Sequence, residues 1–490
     1  MSARTTALSW IEENSAALTG LSDTIWALAE PSLREWRSAL ATAGLLRAHG
    51  FTIEWGTAGF PAAFVATYGE GAPVIGFNVE YDALPGLSQR AGVPRHDPLV
   101  FDGDPHYGPG YGPGHGCGHN ALAAASAGAA IAAAKALGGR GTLKVFASTG
   151  EEQLVGKAYA VRDGAYDGLD VFLDWHPAPV TATGWDVTTA LISATFTFLG
   201  SPGHASSPLG TRSGLDGALL LTTMAEHLRA GNVSPSGRIG YAFAGPAGAP
   251  NVTPDISTVW FFVRESTYEG ARILHEKVLD CARAAALASR TRLEHRVVTA
   301  IREGLGNRAG AELLHATMSE LGAPEFTDAD HEFAVRLQAA IGRPQAGLAT
   351  GVLPLRPPAE VDLGGPSSDT SEVSRRAPHL SFVAPVVPLG VPLHSWAATA
   401  STGTGIAHRG LLSAARYLAA TAVDLVERPR ALAAIREEFA GHPPSPGPLP
   451  GDATPPLCSP PPEFLAETGQ EPPAAPAWSP PISAEPVGRI

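Results

Sequence analysis

ALAAASAGAAIAAAKALGGRGTLKVFASTGEE, residues 121 to 152, gives the first view of the fold. Its first half, interrupted by Gly128 and Lys135, reads as an Ala-rich helix. After Gly138 and Gly139 comes a short apolar run, Thr142 to Ser148, which ends in Thr149-Gly150-Glu151-Glu152 and reads as a strand. The same alternation recurs around Val74 to Val79 and Val171 to Trp175, so the first 180 residues carry the rhythm of an α/β protein. Each apolar run is followed by Gly, Asp, Glu or His. Open α/β sheets bind ligands at the carboxyl ends of their strands, and the chemistry is expected there.

Outward from this region the texture changes. Alternating Ile192, Ala194, Phe196 and Phe198 predict a strand, Ser213 to Ala230 a helix and Thr258 to Val263 another strand, which suggests a second, smaller α+β domain. Amphipathic segments follow residue 300. A Gly/Pro-rich passage runs from Gly351 to Ser368, and a last helix, about Arg409 to Val426, returns to the first domain. From 441 to 490 there are 16 prolines in 50 residues and few periodic apolar positions, so this segment is expected to be a disordered tail.

The whole chain has 490 residues, 44% of them hydrophobic, with 34 Lys+Arg against 47 Asp+Glu and a net charge of −13. That length predicts two or three domains. Without a basic run, a nucleic-acid surface is not expected. No basic-then-apolar leader opens the chain, and no unbroken apolar span reaches about 20 residues, so neither export nor membrane insertion is expected. Cys117, Cys281 and Cys458 are too few and scattered for a disulfide framework, which fits a reducing, cytoplasmic setting.

The densest chemical cluster is His115-Gly116-Cys117-Gly118-His119-Asn120. Cys and His suit a borderline-soft divalent metal, and the glycines let a loop fold tightly; the bland alternative is a Gly-rich loop with a buried thiol. The run Gly103 to Gly118 lacks the GxxxxGK[ST] of a phosphate loop. Adjacent residues at a strand end point in opposite directions, so Glu151 and Glu152 can divide the work of holding a water and ligating a metal. His176 follows the strand Val171 to Leu173, and His394 lies far downstream. Cys117, His119, Glu152, His176 and His394 together suffice for a two-metal hydrolytic centre.

Seven motifs then occur in order: EYDALPG (80–86), GHGCGHN (114–120), TGEE (149–152), WHP (175–177), GSPGHAS (200–206), APNVTPD (249–255) and LHSW (393–396). They resemble the M20 metallopeptidase/amidohydrolase family over about residues 10 to 430. HGCGHN and HSW make the aminobenzoyl-glutamate utilization protein B branch the best likeness. The resemblance implies an α/β fold with a central mixed sheet flanked by helices, of zinc-exopeptidase type, and an inserted α+β lid and dimerisation domain. The corresponding divisions are 1–188 and 301–432 for the catalytic domain and 189–300 for the lid, with 441–490 as the tail.

By the same resemblance, Cys117, His119, Glu152, His176 and His394 bind two divalent ions, Mn or Zn. Glu151 is the general base toward a metal-activated water, and Asp82 is a carboxylate behind the ligands that orients one of them. His204 is a catalytic lid residue reaching a substrate oxygen, usually in the partner's site. Asn251 and Arg264 match lid positions that contact the substrate carbonyl or carboxylate. Asn120 stands where related amidohydrolases have Asp. Trp175 and Trp396, beside the ligands, would suit an aromatic substrate by stacking, or else pack the domain.

The expected activity is cleavage of the amide of an N-acyl or N-aroyl amino acid, of aminobenzoyl-glutamate type. Alternatives are a dipeptidase or an aryl amide hydrolase on the same scaffold, or a non-catalytic metal-binding subunit. Expected partners are a small amide substrate, a second copy through the lid, and a related subunit in a hetero-oligomer.

Overall fold

The structure, a computed structural model, describes residues 2–99, 112–207, 210–231, 233–245, 249–358, 365–443, 447, 449 and 458–471. Its larger sheet is mixed. β1 (Thr52–Trp55) pairs antiparallel with the start of β2 (Phe64–Glu80), while β3 (Arg140–Ser148) and β4 (Val171–Ala178) pair with β2. β2 folds back near residues 69–73, so β3 meets both of its legs. Val74 to Glu80 lie opposite Thr142 to Ser148 in parallel. β12 (His379–Pro385) runs parallel to β4, and β5 (Ala182–Thr183) closes the edge antiparallel to β12. Phe77, Val79, Val145, Val171 and Leu173 are fully buried, as expected of parallel strands covered on both faces.

The Ala-rich segment is the helix His119–Leu137. It is long and apolar enough to cross a membrane, but 89% of its apolar window is buried within the protein. The helices Ala3–Glu13, Ser15–Leu28 and Gly405–Glu427 surround it. Small side chains permit this close packing: a Cβ at Gly128 would lie 2.6 Å from Leu18 Cδ1.

The second sheet is antiparallel, in the order β11 (Arg292–Ile301), β6 (Ala190–Leu199), β10 (Ile256–Glu265), β8 (Arg238–Ala244). Between them, the short strands β7 (Gly203–His204) and β9 (Val252–Thr253) form a separate ribbon. The helices Gly214–Gly231 and Tyr268–Ser289 cover one face over Phe196, Phe198, Val259, Phe261 and Val263. The other face looks into a cleft above the larger sheet. The chain enters this unit at Ala190 and leaves at Ile301, both fully buried.

The expectation of a disordered tail from 441 to 490 needs correction over part of its length. The helix Pro462–Thr468 docks on the larger unit, with Phe464 1% exposed between Trp36 and Trp55. Gln470 Nε2 donates to Pro61 O at 3.0 Å, and Cys458 packs beside Leu33 and Phe60. One aromatic anchor and two tryptophan faces suffice to hold a Pro-rich segment, which composition averaged over 50 residues does not reveal. Residues 444–446, 448, 450–457 and 472–490 lie outside the described residues.

Gly410 carries a direct packing test. A Cβ there would sit 2.0 Å from Pro385 O, a backbone atom at the end of β12. Gly410→Ala gains about 1 kcal/mol of helix propensity, but overpacking against backbone costs about 1–3 kcal/mol or more. The net expectation is a lower Tm, measured by thermal denaturation. An unchanged or raised Tm would contradict this account of the helix–sheet contact.

Candidate metal centre

The carboxyl ends of β2, β3 and β4 and the start of the helix His119–Leu137 converge on one polar cluster. Gly118 adopts φ +84° as the residue before that helix, and a Cβ there would come within 2.9 Å of Pro177. Only glycine combines this backbone conformation with so close an approach to β4. The turn thereby brings Cys117 Sγ to 3.4 Å from His176 Nε2. His176 Nδ1–H donates to Pro177 O at 2.8 Å, which leaves Nε2 free to ligate.

Glu151 and Glu152 fall in a short 3-10 turn, Glu151–Gln153, and not in the strand itself. Both carboxylates lie near His119, and only Glu152 also reaches His394 among the described ion pairs. Glu151 Oε2 lies 3.9 Å from His119 Nε2, whereas Glu152 Oε2 lies 3.5 Å from His394 Nε2. His394 holds φ +57°, rare for a residue with a side chain, and its N–H donates to Gly116 O at 2.9 Å. Such a strained backbone persists only where its surroundings fix it, and here it aims the imidazole at the cluster.

Three overlapping donor groups result: Cys117, His119 and His176; Cys117, Glu152 and His394; and Glu80, His119 and Glu151. Within each, the ligand atoms lie within 4.8 Å of one another. His119 Nε2 and Glu152 Oε1 are buried with no hydrogen-bond partner among the described residues, an expensive state for polar atoms unless something else satisfies them. The donor set, one thiol, three imidazoles and several carboxylates, suits divalent ions. Burial, the Glu80 carboxylate and Asp369 push the Glu151 carboxyl well above its ordinary range despite the opposing Lys157 charge. Bound cations would reverse that balance.

Asp82 ties the cluster together. Its Oδ1 accepts from His119 Nδ1 at 2.9 Å, and its Oδ2 accepts from Ser32 Oγ at 2.7 Å and from the backbone N–H of Glu152 at 2.9 Å. Burial alone would raise its pKa, but these donors hold it below the usual carboxylate range. For His119, burial opposes the charged form, yet Cys117 and Asp82 outweigh it and raise the imidazole.

A further layer of buried charge lies behind these residues. Glu35, fully buried, accepts from Thr149 Oγ1 and from Gly150 N–H at 2.7 Å, which fixes the turn bearing Glu151. Burial and the nearby Asp82 charge push Glu35 up to about 8. Lys157 Nζ stands 2.7 Å from both Glu80 Oε1 and Asp369 Oδ1, all three buried. Asn78 links Glu80 to Asp174, and Asp174 accepts from His379 Nε2 at 3.0 Å. Glu80 has a local signal, as the first residue of the EYDALPG motif. Glu35 and Lys157 have none, because their partners are far away along the chain.

The expected substrate-binding residues divide. Arg264 lines a cavity of about 870 Å³ together with Cys117, Glu151, Glu152, His176 and His394. Trp175 does not. It is fully buried on the opposite face of β4 from His176, bonded through Nε1 to Leu122 O and stacked on Phe382. The alternation that separates neighbours in a strand removes it from the site. Trp396 packs against the core and beside His96, outside the cavity wall. The aromatic wall is instead Trp185, Trp260 and Phe262. His204 and Asn251 are exposed on the β7–β9 ribbon and line no part of this cavity. Asn120 Nδ2 donates to Ser22 Oγ and Thr402 O, both at 3.0 Å, so it serves packing behind the cluster.

No protein-family model matches the chain. It is 33% identical over 449 residues to one of the subunits of p-aminobenzoyl-glutamate hydrolase from Escherichia coli (strain K12), covering 85% of this chain and 90% of that protein. It is 25% identical to the Xaa-Arg dipeptidase of Mus musculus, over 88% and 90% of the two chains. In fold it is similar to a Bacillus subtilis protein described as a dinuclear metal binding peptidase from the M20 family. That match has a TM-score of 0.51 and 14% identity over 85% of this chain and 99% of the other.

Asp82→Asn tests the hub. An amide cannot accept from all three donors, so metal affinity is expected to fall about 10- to 100-fold, measured by chelator competition. Unchanged affinity would remove Asp82 from any role in orienting His119 and the Glu152 turn.

Proposed function

The chain belongs to the M20 family of metallopeptidases and amidohydrolases and is a metal-dependent hydrolase; from that premise we propose that it cleaves the amide of an N-acyl or N-aroyl amino acid, of aminobenzoyl-glutamate type. The observation that carries this reading is the convergence of Cys117, His119, Glu152, His176 and His394 beside Glu151, where all but His119 line one cavity. The substrate in the E. coli relative's name supplies the amide class.

In this reading the five residues hold two divalent ions, manganese or zinc. Bound there, the ions supply Lewis acidity at the scissile carbonyl and lower the pKa of a water. Glu151 takes the proton from that water at a carboxylate oxygen and delivers it to the departing nitrogen. Glu35 and Asp82 keep Glu151 and Glu152 in place while the proton moves. Arg264, whose Nε is buried with no hydrogen-bond partner among the described residues, takes a substrate carboxylate or carbonyl oxygen. The smaller sheet closes the cleft and excludes water from the reacting centre.

His204 and Asn251, exposed at the far ribbon, act in this scheme from the lid of a second copy. The edge position of β8 in its sheet supports pairing between lids, as do Phe243 and Leu219, 50% and 48% exposed. Association with a related subunit is the other assembly, consistent with the E. coli relative being itself a subunit. Cys117, Cys281 and Cys458 are free thiols, which supports a reducing, cytoplasmic setting. Cleavage of dipeptides is the second reading, favoured by the Xaa-Arg dipeptidase likeness.

Glu151→Gln is the deciding variant. It is expected to retain bound metal and to lose turnover by several orders of magnitude on whichever of N-aroyl-glutamates, N-acyl amino acids or dipeptides the intact chain cleaves. Full activity in the variant would overturn the assignment of the base. Removal of metal by chelation should abolish turnover, and Mn²⁺ or Zn²⁺ should restore it; activity that survives metal removal would overturn the metal-dependent mechanism. For assembly, Phe243→Glu is expected to shift the chain toward monomer in sedimentation and to lower turnover, and an unchanged dimer would contradict a lid interface.

A further inference from the structure

The cavity face of the smaller sheet has an uneven relief that the hydrolytic scheme leaves unused. Along β10, Trp260, Phe262 and Arg264 occupy every second position and share the face turned away from the helices, while Val259, Phe261 and Val263 are fully buried beneath those helices. The neighbouring strands carry only small side chains beside the two rings. Phe262 lies between Gly240 on β8 and Ser193 on β6, and Trp260 lies between Ala242 and Thr195. Two large rings therefore stand among small neighbours on this face.

Both rings are held in place. Trp260 Nε1 donates to Ser193 Oγ at 2.8 Å, and the indole meets Phe262 edge-on, with centroids 5.1 Å apart at 89°. The Arg264 guanidinium lies 5.7 Å from the Phe262 ring centre. On the Gly240 side the space is open: a Cβ built there would meet nothing within 4 Å. One strand repeat, about 6–7 Å, separates Phe262 from Arg264, whose charge reaches Glu151 and His394. A planar group attached directly to the scissile carbonyl would span that interval.

We infer that Gly240 and Phe262 determine specificity by forming a slot on the lid sheet that accepts a flat aromatic ring joined to the scissile carbonyl. The inference rests on the amide-hydrolase reading of the metal centre and adds to it the wall that reads the acyl group. Phe262 provides the contact surface and Trp260 the closed end. The missing side chain at Gly240 provides the width, and a small acyl group such as acetyl leaves the slot empty.

The test separates binding from chemistry. In the metal-loaded Glu151→Gln protein, which holds substrate without turning it over, calorimetry compares N-benzoylglutamate with N-acetylglutamate. These share their amino-acid part and differ only in the group aimed at the slot. The benzoyl compound is expected to bind about tenfold or more tightly than the acetyl one, and Gly240→Leu, which fills the slot, should reduce that preference to about twofold or less. Affinity for N-acetylglutamate should stay unchanged, which also reports that the variant is folded. Phe262→Leu should act in the same direction. Equal losses on both ligands, or a benzoyl preference that survives Gly240→Leu, would overturn the slot. Turnover by the chain with Glu151 intact is measured separately: a slot-dependent preference without any hydrolysis would refute the hydrolase reading and leave the slot standing.

Discussion

The buried carboxylate of Asp82 is the constraint on which the metal cluster depends. It accepts at once from a ring nitrogen of His119, from the Ser32 hydroxyl and from the backbone of Glu152. These three donors come from a helix start, an N-terminal loop and the turn after a strand, each 37 to 70 residues from Asp82. One anion thus fixes the ring orientation of one candidate ligand and the backbone of another. Because it is 1% exposed, water cannot substitute for a lost partner, and the geometry is strongly coupled.

Around that hub the protein concentrates more buried negative charge than its own cations neutralise. Lys157 serves Glu80 and Asp369 together, and Glu35 is held through hydrogen bonds to the Thr149–Gly150 turn. Burying unpaired charge is costly, so such an arrangement is stable when further cations complete it or when carboxyls stay protonated. Burial raises the carboxyls of Glu151 and Glu35, which disfavours their charged forms. The same cluster holds residues whose chemistry suits divalent ions.

The smaller sheet adds a wall to this centre. Its apolar face is used up by two helices, so only the opposite face is available to the cleft, and there Arg264, Phe262 and Trp260 stand in a row. The Leu154 carbonyl, just after the Glu151–Glu152 turn, accepts from Thr299 Oγ1 of β11 at 3.0 Å. The turn that carries Glu151 and Glu152 and the last strand of the smaller sheet are therefore in direct contact.

Much of this was legible in the linear chain. The alternation of Ala-rich helix, apolar strand and polar loop announces an α/β sheet with its chemistry at strand ends, because side-chain period and turn residues are local properties. Cys117, His119, Glu152, His176 and His394 were recognisable by residue type and motif order. The aromatic wall was not, since Trp175 and Trp396 neighbour ligands in sequence while Trp185, Trp260 and Phe262 reach the cavity only after a second sheet folds over the first. The docking of Phe464 was hidden in the same way by average composition. Fold class, the donor set and the strand ends that carry it can be read from one dimension, for they follow from periodicity and ligand chemistry. Which carboxylates share Lys157, which rings face the cleft and where the smaller sheet leaves space emerge only in three dimensions, because each depends on contacts between segments that no local pattern encodes.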